Sequence, residues 1–221
     1  MTNKTKALIT TAGLALLATG GSAQAAPPSP HQLSIAAKPA RVVYGGTVAI
    51  TGKLTGSDNA GETINLNEDP FPFGTFTKLA TTQTSAAGSY GFFVTPTVNT
   101  KYQTDAKSKA PATSPELLVK VAPKITLKVS DKTPAVGQKV TFSGTVAPDH
   151  DGQSVLLQRY RNDGTWRTIK TLVLVDAGTA SSKFAYTRKI TRTGTFRIKK
   201  SADTDHVAGH SHRRTLTVHS S

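Results

Sequence analysis

The residues best suited to chemistry crowd into one late segment. Asp203-Thr204-Asp205-His206-Val207-Ala208-Gly209-His210-Ser211-His212-Arg213-Arg214 sets three imidazoles and two carboxylates within ten residues. That donor mixture suits a transition metal such as zinc or copper, which makes Asp203, Asp205, His206, His210 and His212 the candidate ligands. His210 and His212 alternate, so on a strand they would share a face. Arg213 and Arg214 would repel a cation, and a solvated polar loop is the competing reading. Asp149-His150-Asp151-Gly152 lacks the alternating ligands and distal acid of a calcium loop and reads as a turn between strands. Glu68-Asp69 would send its carboxylates to opposite faces if extended, and Pro70 behind it points to a turn.

A second group of residues is cationic. The chain has 27 Lys+Arg against 13 Asp+Glu, a formal net charge of +14. Arg159, Arg161, Arg167, Lys170, Lys183, Lys189, Arg197 and Lys199 fall along expected strands. Adjacent strands lie about 4.8 Å apart, so cations facing the same way on neighbours would merge into one basic surface. Their mutual repulsion is relieved by an anion. The competing reading is a solvated strand face that keeps sheet edges unpaired. Interleaved aromatic residues forming a stacking platform among these cations are not expected, so neither is sequence-specific nucleic-acid readout. Phe142, Phe184 and Phe196 are expected to face a core, and Phe71-Pro72-Phe73 forms either an exposed contact loop, through Phe71 and Phe73, or a lid.

Enzymatic signatures are missing. The chain has no Cys, which excludes a disulfide framework, a thiolate metal site and a Cys nucleophile. It has no G-x-S-x-G elbow, H-E-x-x-H helix or P-loop. A non-catalytic protein without a cofactor is the expectation.

The elements that must position these residues come in two copies. Gly45 to Leu54 (GGTVAITGKL) matches Gly137 to Val146 (GQKVTFSGTV). Gly61 to Leu66 matches Gly152 to Leu157, Gly74-Thr75-Phe76 matches Gly164-Thr165-Trp166, and Tyr90-Gly91-Phe92 matches Phe184-Ala185-Tyr186. Thr100-Lys101-Tyr102 matches Gly194-Thr195-Phe196, and Leu118 to Val121 answers Thr215 to Val218. The order is kept, and the offset runs from 90 to 94 for the glycine- and aromatic-bearing blocks. Within blocks, apolar and polar residues alternate with the period of half-buried strands, and Gly, Pro, Asn, Asp and Ser clusters separate them. About seven short strands per copy is the pattern of an immunoglobulin-like sandwich. The expectation is all-β: two tandem immunoglobulin-like β-sandwiches, residues 32–121 and 122–221, joined tightly through Ala122-Pro123-Lys124.

Ahead of them, Lys4 and Lys6 precede the uncharged apolar run Ala7 to Ala18, and Ala23-Gln24-Ala25 supplies a cleavage pattern. This is the layout of a secretory signal over residues 1–25, followed by a Pro-rich stub at 26–31. The apolar run is shorter than the about 20 residues a bilayer span needs, and no later segment reaches that length, so no transmembrane anchor is expected in the mature chain. Removing residues 1–25 leaves a charge of 25 − 13 = +12, of which +10 falls in 122–221.

The blocks Val155-Leu156-Leu157-Gln158-Arg159, Gly164-Thr165-Trp166 and Thr195-Phe196-Arg197 resemble the bacterial immunoglobulin-like repeats found in tandem in secreted and surface proteins of actinobacteria. The first copy departs from that pattern: Phe76 stands for the Trp, and Gln103 follows Tyr102 where Arg is usual. The resemblance implies a sandwich fold and a binding, spacer or adhesive role, and transfers no catalytic residue. The expected function is therefore a secreted or wall-associated binding module. Its second copy would contact an anionic cell-wall polymer or acidic polysaccharide. The alternatives are a structural spacer without a ligand, and an extracellular metal-binding protein using the His-rich segment.

Overall fold

A computed structural model describes residues 31–107 and 111–220. The expected signal segment and residues 26–30 of the Pro-rich stub lie outside the described residues. Every regular element among the described residues is a strand, and no helix there is long and apolar enough to cross a membrane.

The N-terminal half carries β1 (Gln32–Leu33), β2 (Ala36–Lys38), β3 (Arg41–Val43), β4 (Val48–Thr55) and β5 (Thr63–Pro70). It continues with β6 (Thr77–Gln83), β7 (Ser89–Val94), β8 (Thr100–Ala106), β9 (Ala112–Thr113) and β10 (Leu117–Ala122). The C-terminal half carries β11 (Lys124–Ile125), β12 (Lys128–Val129), β13 (Lys139–Ala147), β14 (Ser154–Tyr160) and β15 (Trp166–Val173). It ends with β16 (Val175–Asp176), β17 (Ser182–Lys189), β18 (Gly194–Lys200), β19 (Gly209–His210) and β20 (Arg214–Leu216).

In the first half, β1 and β2 line one edge of β4, and β7 lines the other. The second sheet runs β3-β10-β8-β5-β6, with β9 also on β8. The C-terminal half repeats this plan. There β11 and β12 line β13 and β17 follows it, while β15-β14-β18 form the second sheet with β19 and β20 beyond β18. The repeated sequence blocks thus become corresponding strands: β4 with β13, β5 with β14, β6 with β15, β7 with β17, β8 with β18. Most pairs are antiparallel; β3 pairs β10 in parallel, and Ala135–His219 is a parallel bridge near the corresponding place.

Each half buries its own core. Val48, Ile50, Leu54 and Phe92 of one sheet meet Ile64, Leu66, Tyr102 and Val119 of the other. In the second half Val140, Phe142 and Phe184 meet Val155, Leu157, Phe196 and Ile198, so Phe142, Phe184 and Phe196 face inward as expected. Full burial of each such side chain contributes roughly 1.5–3 kcal/mol.

One glycine in each half shows why the repeat keeps it. A Cβ on Gly144 would lie 2.2 Å from the Thr126 carbonyl oxygen and 2.7 Å from the Phe184 ring; one on Gly52 would lie 2.0 Å from the Ser34 oxygen and 2.3 Å from the Tyr90 hydroxyl. The aromatic residue on the neighbouring strand fills the space that a side chain would take. Tyr90 gives its hydroxyl two partners, Ser34 O at 2.5 Å and Thr104 Oγ1 at 2.8 Å. The repeat places Phe184 and Ile198 at these two positions, replacing a buried hydroxyl pair by apolar groups.

Glu68 and Asp69 do not form a turn. They continue β5, which stays paired with β8 as far as Pro70↔Thr100. Asp69 is buried, and its Oδ1 accepts the Gly74 N–H at 2.9 Å. Pro70 is tolerated because the β6 pairing ends at Glu68↔Thr77, which leaves the side its nitrogen faces as a sheet edge.

Only Pro123 separates β10 from β11, and the halves are tied further. Asn99 N–H donates to Asp205 O at 2.8 Å, Val207 N–H to Val121 O at 2.8 Å, and Arg41 Nη2 to Ala208 O at 2.7 Å. Gly144→Ala should destabilise the protein by about 1–3 kcal/mol through overpacking against a backbone oxygen. Its urea midpoint should fall, whereas Gly91→Ala, which meets atoms only at 3.7 Å, should leave the midpoint nearly unchanged.

Candidate functional sites: a basic basin and a buried His–Asp cluster

The candidate cations divide between different surfaces. β14 ends at Tyr160, and its loop returns as β15 through a turn in which Arg161 N–H donates to Thr165 O at 2.9 Å. Asp163 braces that turn by accepting the Thr165 N–H at 2.9 Å and its hydroxyl at 2.6 Å; these bonds hold the Asp163 carboxyl below its ordinary pKa. From the opposite sheet, β17 ends at Lys189 and crosses to β18 through residues 190–193. The two crossings surround an open basin of about 1100 Å³. Arg159, Arg161, Arg167, Arg188, Lys189 and Arg192 line it, with Asp163 as its acid.

Arg159 occupies a core-facing position, opposite Phe196 of β18 and Arg167 of β15. At the end of the strand that position opens into the basin. Its Nη2 donates to Thr193 O at 2.8 Å. Its Nε is sequestered without a hydrogen-bond partner, and a Cβ on Gly194 would come within 2.5 Å of that atom. A buried charged donor left unpaired is costly, and an anion oxygen that reached Nε by displacing the Gly194 backbone would satisfy it.

The other cations stand apart. Arg197 lies on the outer face of β18, its guanidinium carbon 4.1 Å from the Trp166 ring centroid and its Nε donating to Gln158 Oε1 at 2.9 Å. Arg213 lies 5.3 Å from Trp166 and 5.6 Å from Tyr160. Burial, with Arg213 close by, pushes the Arg197 pKa down. Aromatic rings therefore do stack with cations on the folded sheet, contrary to the expectation that no such platform exists. Tyr160 and Trp166 become cross-strand partners, and the cations reach them from β18 and from Arg213, just before β20. Lys199 is opposite His210, Lys170 lies 5.8 Å over Tyr186, and Lys183 is on the other sheet. The eight do not form one continuous surface. Arg188 and Arg192 were not singled out from the sequence; the charge density of Arg188-Lys189-Ile190-Thr191-Arg192 was the available signal.

The His-rich segment divides as well. Ligand atoms of Asp203, Asp205 and His206 lie with one of His150 within 4.8 Å of each other. His210 and His212 are exposed and lie outside this group. Partial desolvation at the sheet surface, together with Arg197, Arg41, Lys199 and Arg213, lowers the pKa of His210, a setting that repels cations. His150 was read as part of a plain turn; nothing in its local sequence links it to a loop after β18.

Two carbonyls set the imidazoles. A carbonyl oxygen only accepts, so His150 Nδ1 donates to Pro148 O at 2.7 Å and His206 Nε2 donates to Thr97 O at 2.9 Å, the latter across the halves. The remaining nitrogens turn inward. His150 Nε2 is 3.3 Å from Asp203 Oδ2, and His206 Nδ1 is 3.1 Å from Asp205 Oδ1 and 3.9 Å from Asp203 Oδ1. Burial lowers the pKa of His150, with the nearby Lys200 charge adding to the effect. Buried Lys200 donates to Asp203 Oδ2 at 2.5 Å and to Gln153 Oε1 at 2.7 Å. Burial of the Asp203 carboxyl opposes ionisation, but bonds from Lys200 and the His206 N–H outweigh it and hold its pKa at about 2.

The Phe71-Pro72-Phe73 loop is braced rather than loose. Phe71 and Phe73 meet edge to face at 5.6 Å, and the Lys101 ammonium lies 5.4 Å from the Phe73 centroid. Phe73 stays 36% exposed, but Phe93 on β7 is 82% exposed, a larger apolar surface that the sequence reading did not single out.

No protein-family model matches this chain, and no curated protein matches it.

Asp203→Ala should destabilise the protein by about 3 kcal/mol, because it strands the buried Lys200 ammonium. His212→Ala, at an exposed position, should stay within about 0.5 kcal/mol. Thermal or urea unfolding of both variants measures the contrast.

Proposed function

We propose that this protein is an exported, non-catalytic binding module. It would consist of a secretory signal and two tandem immunoglobulin-like sandwiches, and its second sandwich would grip an anionic cell-envelope polymer. The basin between the β14–β15 and β17–β18 crossings carries this reading. Six cations face one carboxylate there, and Arg159 Nε lacks an acceptor. The duplicated sheet plan, the two separate cores and the parallel pairing of β3 with β10 support the immunoglobulin-like reading. The basic start, apolar run and Ala23-Gln24-Ala25 support export.

A repeating polyanion suits the basin. Its charge groups would enter among arginines that otherwise repel one another, and neutralising that repulsion favours the bound state. Guanidinium groups favour carboxylate and phosphate because their planar fork matches those oxygens. Tyr160, 41% exposed at the basin rim, offers a ring against which a sugar can lie.

Retention on an acidic polysaccharide such as heparin, and on purified anionic wall polymer, tests the reading. Binding should be present at low salt and weaken steeply as salt rises. The triple substitution Arg159→Gln, Arg188→Gln, Arg192→Gln should lower affinity at least about tenfold. A single charge-assisted bond is worth roughly 1.5–3 kcal/mol, and about 1.4 kcal/mol is a factor of ten. No retention at low salt would leave the spacer role in its place.

A further inference from the structure

We infer that His150, Asp203, Asp205 and His206 form a zinc site that fastens the two halves of the chain together. The arrangement of the imidazoles carries the argument. Metal-bound histidines characteristically donate their second ring N–H to a carbonyl or carboxylate, which fixes the tautomer and aims the free nitrogen. Both histidines are set this way, His150 by Pro148 O and His206 by Thr97 O.

The aimed nitrogens then meet acceptors instead of donors. His206 is 2% exposed, and its Nδ1 is buried with no hydrogen-bond partner although Asp205 Oδ1 is 3.1 Å away. His150 Nε2 faces Asp203 Oδ2 at 3.3 Å. Imidazole lone pairs turned toward carboxylate oxygens repel unless something positive lies between them. A divalent ion resolves both contacts at once.

The spacing fits. Zinc binds imidazole nitrogen and carboxylate oxygen at about 2.0–2.2 Å in tetrahedral geometry, which places neighbouring ligand atoms about 3.4 Å apart. His206 Nδ1 lies 3.1 Å from Asp205 Oδ1 and His150 Nε2 lies 3.3 Å from Asp203 Oδ2, and one ligand atom from each of the four residues lies within 4.8 Å of the others. Two imidazoles and two carboxylates form a donor set suited to zinc rather than to calcium or magnesium, which prefer oxygen alone. The Asp205 side chain, 35% exposed, leaves a way in for the ion. Lys200 donates to Gln153 Oε1 and to Asp203 Oδ2, the oxygen that also faces His150 Nε2, so it fixes that ligand's position while its charge limits the affinity.

The consequence is mechanical. Zinc on Nδ1 commits His206 to the tautomer whose Nε2–H bonds Thr97 O. The same loop accepts the Asn99 N–H through Asp205 O and donates the Val207 N–H to Val121 O. Zinc would therefore clamp the loop after β18 onto the β7–β8 connection of the first half. This site is independent of the basic basin, which lies at the opposite ends of β14 and β18.

The test uses tag-free, chelator-treated full chain. Equilibrium dialysis against zinc should give one ion per chain, and saturating zinc should raise the Tm by about 5 °C or more. His150→Gln and Asp205→Asn should each weaken binding at least about tenfold, while the double substitution His210→Gln, His212→Gln should leave it unchanged. Zinc should slow hydrogen exchange at the Asn99 and Val207 amides. Asp205→Asn keeps shape at a partly exposed site, so the test holds even where His150→Gln does not fold. A stoichiometry near zero, binding that survives Asp205→Asn, loss of binding on removing His210 and His212, or unchanged exchange at Asn99 and Val207 overturns the inference.

Discussion

Each half of this protein depends on two sheets closing over alternate residues of one another. Neither sheet is stable as a surface with one apolar face open to water, and within one sheet of each half the neighbouring strands pack tightly enough to exclude a single methyl group at Gly52 or Gly144. Phe184 and Tyr90 fill the space those glycines leave. Once closure fixes which residues point inward, the alternation of the strands sends every second residue outward or, at strand ends, into the openings between sheets.

Those openings are where the chemistry lies. At one end of the C-terminal half, Arg159 occupies an inward position past the last core layer and meets cations from the opposing sheet. At the other end, the β13–β14 turn and the loop after β18 bring imidazoles and carboxylates together against the first half. Core closure thus places a basic basin on one end and a His–Asp cluster on the other, with β14 and β18 spanning both. The outer face of the same sheet carries Tyr160, Trp166, Arg197 and Arg213 as stacked neighbours.

The two halves differ in charge more than in core. Corresponding strands keep their pairing plan, and the Tyr90–Thr104 hydroxyl pair gives way to Phe184 and Ile198 without a new buried polar group. The surface has no such constraint, because exposed substitutions cost little. Charge could therefore accumulate in the C-terminal half while the packing stayed the same. The cost of that accumulation is repulsion among the arginines, which the proposed polyanion would relieve.

The strand-bearing blocks, their duplication and the inward direction of Phe142, Phe184 and Phe196 were legible in the chain, because period-two alternation and glycine spacing are local properties. Local reading also found Asp203, Asp205 and His206, and the charge excess of the C-terminal half. It failed where partners come from distant strands. His150 was a turn residue until the fold set it beside His206. Arg188 and Arg192 gained a role only when β17 ended opposite β14. Tyr160 and Trp166 stand beside arginines in the chain, but only cross-strand register paired the two rings and brought Arg197 and Arg213 onto them. Glu68 and Asp69 lay in a strand because pairing with β8 continued to Pro70, and no local signal carries that pairing. Alternation along a strand determines which face a residue takes, and this the sequence decided; which residues share that face depends on register and sheet order, and these only the tertiary structure decided.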